Sequence, residues 1–91
     1  MTPQEQLKLM SSQIATHIAG DEILFELECL LVAFEGVEGN VVGYKLAVQD
    51  AIEHAEMLFS LRDTTHQPDA LRDILISYID NAAEIAGELQ R

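Results

Sequence analysis

Apolar residues return every three or four positions along almost the whole chain, and glycine or proline marks the places where that rhythm restarts. A period near 3.6 is the signature of helices with one buried face, and strict alternation, the mark of half-buried strands, is missing. The pattern therefore predicts an all-α protein. Thr2-Pro3-Gln4-Glu5 reads as a capping box with proline in the first turn, and Leu7, Met10, Ile14 and Ile18 follow at helical spacing. Gly20 is a left-handed stop, so the first helix is expected from about Pro3 to Ala19.

Asp21 is a natural N-cap for a second helix running to Glu35, with Ile23, Leu27, Leu30 and Phe34 on one stripe and Leu24 and Leu31 widening it. Gly36 to Asn40 is a turn. Asn40 then caps a third helix whose inner face carries Val41, Tyr44, Val48, Ala51, Ile52, Ala55, Leu58 and Phe59 and which ends near Arg62. The Val41-Val42 pair at its start also fits a short extended stretch. A polar loop leads to Pro68 and a fourth helix, where Leu71, Leu75, Tyr78, Ala82, Ile85 and Leu89 keep a heptad rhythm. Four helices with short turns specify an antiparallel bundle, either complete in one chain or completed by homodimerisation. At 91 residues this is one domain, residues 1–91, with a thin stability margin.

Charge narrows the function. Sixteen acidic residues against five basic ones give a net charge of −11. Direct nucleic-acid binding and docking on anionic lipid both need clustered Lys and Arg, so neither is expected. A single cysteine permits no internal disulfide and no Cys-rich zinc site. The first ten residues lack the charged-then-apolar order of a signal peptide, and no apolar run is long enough to cross a bilayer. The expected location is cytoplasmic.

Enzyme chemistry finds little to stand on. A di-metal bundle needs inward carboxylates and Glu-x-x-His steps, and no glutamate here is followed three residues later by histidine; the one acidic match, Asp63 before His66, falls in a loop. Glu53-x-x-Glu56, with Asp50 one turn before His54, is a fragment of the magnesium clusters of helical pyrophosphatases, without the first cluster. His17 reads as a residue at the core's edge, His54 as one making an intrahelical contact, and His66 as exposed. Cys29 sits in an apolar helix near Glu26 and Glu28, where burial and negative charge both disfavour a thiolate. No cofactor, no metal site and no enzymatic activity are expected; a metal-dependent bundle enzyme is the remote alternative.

Two features point to another class of function. The second helix carries a further apolar stripe, Phe25, Cys29 and Val32, opposite its core stripe and flanked by Glu22, Glu28 and Glu35. Leu46, Met57 and Leu61 do the same on the third helix. A helix in a small bundle needs one apolar face, so a second is enclosed at the centre, paired with a second copy, or offered to a partner. The expected function is a small acidic interaction module, a homodimer, that inhibits, sequesters or chaperones another protein with a basic or amphipathic surface. Its expected contact residues are Phe25, Cys29, Val32, Met57, Leu61, Glu28 and Glu35.

The fourth helix supplies the alternative. Asp69, Asp73, Asp80, Glu84 and Glu88 line its outer side with Arg72 as the one nearby cation. Such a face suits a nucleic-acid mimic or an immunity-type inhibitor, because an unneutralised field steers basic partners.

Overall fold

A computed structural model describes residues 2–16, 21–60 and 69–90. They form α1 (Pro3–Ala15), α2 (Asp21–Leu31), α3 (Val41–Ser60) and α4 (Asp69–Leu89), with no strand among the described residues. α2 packs on α3, α3 on α4, and α4 on α1. The end of α2 meets the start of α3, where the Phe34 and Tyr44 rings stand edge to face at 4.8 Å. His54 of α3 lies against Tyr78 of α4 at 4.7 Å, and Gly39, just before α3, lies beside Leu89 at the end of α4. The Gln4 amide of α1 donates to the Gln90 side chain at 2.9 Å. Each packed pair is thus antiparallel, and the all-α antiparallel bundle expected from the periodicity is the fold.

The helix starts follow from their caps. The Glu5 amide donates to the Thr2 hydroxyl at 3.2 Å, and the Thr2 amide reaches the Glu5 carboxylate at 3.4 Å, closing the capping box. Hydrogen bonds from the Thr2 hydroxyl and then its amide hold the Glu5 carboxyl below its ordinary pKa. Asn40 caps α3 by accepting from the Gly43 amide at 3.0 Å, and Val41 and Val42 are helical rather than extended.

Two helix ends differ from the sequence reading. α1 is regular only to Ala15, and the Thr16 hydroxyl turns back onto the Gln13 carbonyl at 3.0 Å; the rest of the expected helix, with Ile18 and Gly20, lies outside the described residues. α2 stops at Leu31, four residues before Glu35. Beyond it the amides of Ala33, Glu35 and Val37 reach carbonyls three residues back, those of Leu30, Val32 and Phe34. The winding tightens into turns that still carry Phe34 into the core. Gly36 (φ 82°) and Gly39 (φ 126°) adopt left-handed conformations that close the connection. A side chain at Gly39 would also meet Leu89, since a Cβ there stands 2.8 Å from its Cδ2.

The core takes Leu7, Met10 and Ile14 from α1, Ile23, Leu27 and Leu30 from α2, and Tyr44, Val48, Ala51, Ala55 and Leu58 from α3. Burying each large aliphatic side chain contributes about 1.5–3 kcal/mol before entropy is counted. On α4 the buried arc is displaced from the expected heptad. Leu75, Ala82 and Leu89 are buried, but Ile79, Ala83 and Ala86 join them, while Leu71, Tyr78 and Ile85 are only half-buried. The cause is that α4 is flanked by α1 on one side and α3 on the other, so it buries an arc wider than one stripe. Tyr44 pins α2 to α3: its hydroxyl donates to the Leu30 carbonyl at 2.5 Å, satisfying one of the last carbonyls of α2. Burial pushes the Tyr44 phenol up to about 12.

Candidate interaction surface

The outer side of α2 follows from its inner side. At about 100° per residue, Phe25, Cys29 and Val32 fall opposite Ile23, Leu27 and Leu30. With the inner stripe buried against α3 and the core, the outer one faces solvent: Phe25 is 68% exposed, Val32 is 52% exposed, and Cys29 is exposed. The possibility that α2 is enclosed on all sides is therefore overturned for the single chain. So is the burial expected for the Cys29 thiol. Glu22 and Glu28 are exposed on either side of the stripe, and so is Glu35 beyond the helix end. Lys45 reaches Glu35 across the α2–α3 hairpin at 3.8 Å, both side chains being well solvated.

α3 carries exposed apolar residues of its own. Leu46 is exposed, and Met57 is 45% exposed toward the far end of the helix. Leu61 lies outside the described residues. The spacing reading missed Val42, which at 72% is more exposed than Phe25, and Val37 in the turn. The Val41-Val42 pair fits either a helix or an extended stretch by sequence; as a helix, it sets Val42 opposite Tyr44 on the α3 wheel, which is the signal of its exposure. Phe25, Val32, Val37, Val42 and Leu46 all belong to one hairpin. By contrast, α1 has Leu9 and α4 has Ile74 as their exposed large apolar residues among those described.

α4 presents the other candidate face. Asp73, Asp80, Glu84 and Glu88 are all exposed and lie opposite its buried arc. α4 begins at Asp69, whose side chain is outside the described residues.

Among the described residues, no candidates for catalysis are brought together into a site. His54 directs Nδ1 at the Asp50 backbone carbonyl at 2.8 Å, not at a carboxylate, and its ring packs on Tyr78. Because a carbonyl only accepts, Nδ1 carries the proton. Glu53 and Glu56 are exposed. His17, Asp63 and His66 lie outside the described residues. Among the described residues there is no pocket, and no group of three or more His, Cys, Asp or Glu is placed to hold a metal ion. No described helix is long and apolar enough to cross a membrane. No family model, no curated protein sequence and no solved structure matches the chain.

Proposed function

We propose that this chain is a small acidic protein-interaction module that binds and modulates another protein, by inhibiting, sequestering or chaperoning it, through the outer face of the α2–α3 hairpin. One observation carries the reading: Phe25 projects from the side of α2 opposite the core and stays 68% exposed. Holding a phenylalanine in water forgoes about 1.5–3 kcal/mol of burial, which a docked partner recovers. A homodimer is the second arrangement for the same face, because a second copy also buries it.

The test compares the chain with Phe25→Asp, a substitution remote from the core. Proteins retained by the immobilised wild type and lost by a variant with unchanged melting support the reading. Full retention by the variant overturns it. Light scattering over a dilution series identifies the arrangement: about twice the 10.1 kDa chain mass at all concentrations marks the homodimer.

A second reading rests on its own observation, the exposed row Asp73, Asp80, Glu84 and Glu88. A mimic or immunity-type inhibitor acting through that row binds in a strongly salt-dependent way, since exposed charges are screened over about 8–10 Å at physiological salt.

A further inference from the structure

We infer that the occupant of the α2 outer face is an amphipathic helix of another protein whose apolar stripe is bordered on both sides by Lys or Arg, and not a second copy of this chain. The inference rests on the interaction-module reading above and supplies the partner's chemistry.

Charge carries it. Residues 9–44 form a run of 36 without a single Lys or Arg, while containing Asp21, Glu22, Glu26, Glu28, Glu35 and Glu38. α2 lies wholly inside that run. Around its axis Glu28 stands on one border of the Phe25–Val32 stripe and Glu22 on the other, both exposed. If a second α2 lay on the first, parallel or antiparallel, both of its borders would also be acidic. Both helices would then bring carboxylates to the seam with no Lys or Arg on either helix to offset them. Like charges across such a seam oppose pairing, as they do in coiled coils. A partner helix with ammonium or guanidinium groups on both borders reverses the sign at every one of these positions.

Area agrees. An α2 of 11 residues is roughly 16 Å long and about 10 Å wide. That strip falls well short of the roughly 800 Å² per side that stable protein pairs bury. An interface this small belongs to the transient class, where charge complementarity sets much of the encounter rate. Val42 and Leu46, on the first turns of α3 in the same hairpin, are exposed as well. Lys45, tied to Glu35, lies at the hairpin end rather than beside Glu22 and Glu28 on α2.

The experiment titrates the whole chain with two synthetic 18-residue helical peptides, followed by fluorescence anisotropy. One carries a leucine stripe bordered by lysines; the other replaces every lysine with glutamine. The expected result is one peptide per chain, with the lysine peptide bound at least tenfold more tightly. Phe25→Ser combined with Val32→Ser raises its Kd at least tenfold, while Leu9→Ser, removing an exposed leucine on α1, changes it less than twofold. Equal binding of both peptides overturns the charge selection but leaves the interaction module standing. A lysine peptide that binds the Phe25→Ser, Val32→Ser variant as tightly as the wild type overturns the site. A chain of twice its single mass that Phe25→Ser returns to one copy, with neither peptide bound, assigns the face to a second copy and overturns the inference. A single-copy chain that binds neither peptide overturns the inference and removes support from the reading beneath it.

Discussion

The outer sides of α2 and α4 are both acidic and both face water, yet they differ in what water costs them. The α4 face is dominated by Asp73, Asp80, Glu84 and Glu88, with Ile74 as its one exposed large apolar residue among those described. The α2 face sets Phe25, Cys29 and Val32 between its carboxylates. Negative charge alone is what a solvated helix side looks like. Negative charge bordering an exposed aromatic and aliphatic stripe is a surface on which burial and charge both act, the basis of the proposed docking. Under the proposed function, specificity would lie on α2, with α4 supplying a general negative field.

The largest expected effect checks that α2 truly has an inner and an outer side. Leu27→Ala, at a fully buried position, is expected to cost about 2–5 kcal/mol. Phe25→Ser, two residues away, is expected to stay within about 0.5 kcal/mol. Urea unfolding of both variants measures the contrast, and similar losses at the two positions would break the comparison.

Next is the pin between α2 and α3. Tyr44→Phe is expected to cost about 1–3 kcal/mol, because it removes the donor to the buried Leu30 carbonyl. The folded phenol titrates near 12 and the unfolded one near 10. Above pH 10 the unfolded state binds fewer protons than the folded state, so stability falls as pH rises from 10 toward 12. Thermal melts across that range should show this loss in the wild type and a smaller one in Tyr44→Phe.

The smallest effect sharpens the α4 side. Glu84 stands one turn from both Asp80 and Glu88. Glu84→Gln removes two like-charge pairs and is expected to stabilise by about 0.4–1 kcal/mol at low salt. The gain should shrink at 1 M salt, as melting in the two buffers would show. An unchanged gain would mean that the α4 row is not a field of interacting charges.

Much of this architecture was readable from residue order. Thr2, Glu5 and Asn40 act locally, so their caps were visible in the sequence, and most described stripe residues of α1 to α3 bury as the period requires, Val41 and Ile52 only in part, with Ile18 and the Phe59 side chain outside the described residues. The misreadings arose where a distant neighbour decides. Ile79, Ala83 and Ala86 are buried because α1 and α3 approach α4 from two sides, which its own periodicity does not encode. The early end of α2 depends on amides turning to carbonyls three residues back, within a window that still looks helical. For the candidate surface, spacing identified Phe25, Cys29 and Val32 as a second stripe, but only packing separates an exposed stripe from an enclosed one. Val37 and Val42 escaped because one lies in a turn and the other in a pair whose conformation was ambiguous.

The hydrogen bond from Gln4 to Gln90 closes a loop spanning 86 positions. The α2–α3 and α3–α4 seams join helices that follow one another, so each forms between near neighbours along the chain. Loop-closure entropy grows with the logarithm of the separation, and slow-forming contacts are those between distant residues. The α1–α4 seam is therefore the entropically dearest part of the bundle to assemble. The proposed docking surface belongs to the α2–α3 hairpin, the portion of the molecule with the shortest-range contacts, while α1 is held by the longest-range ones.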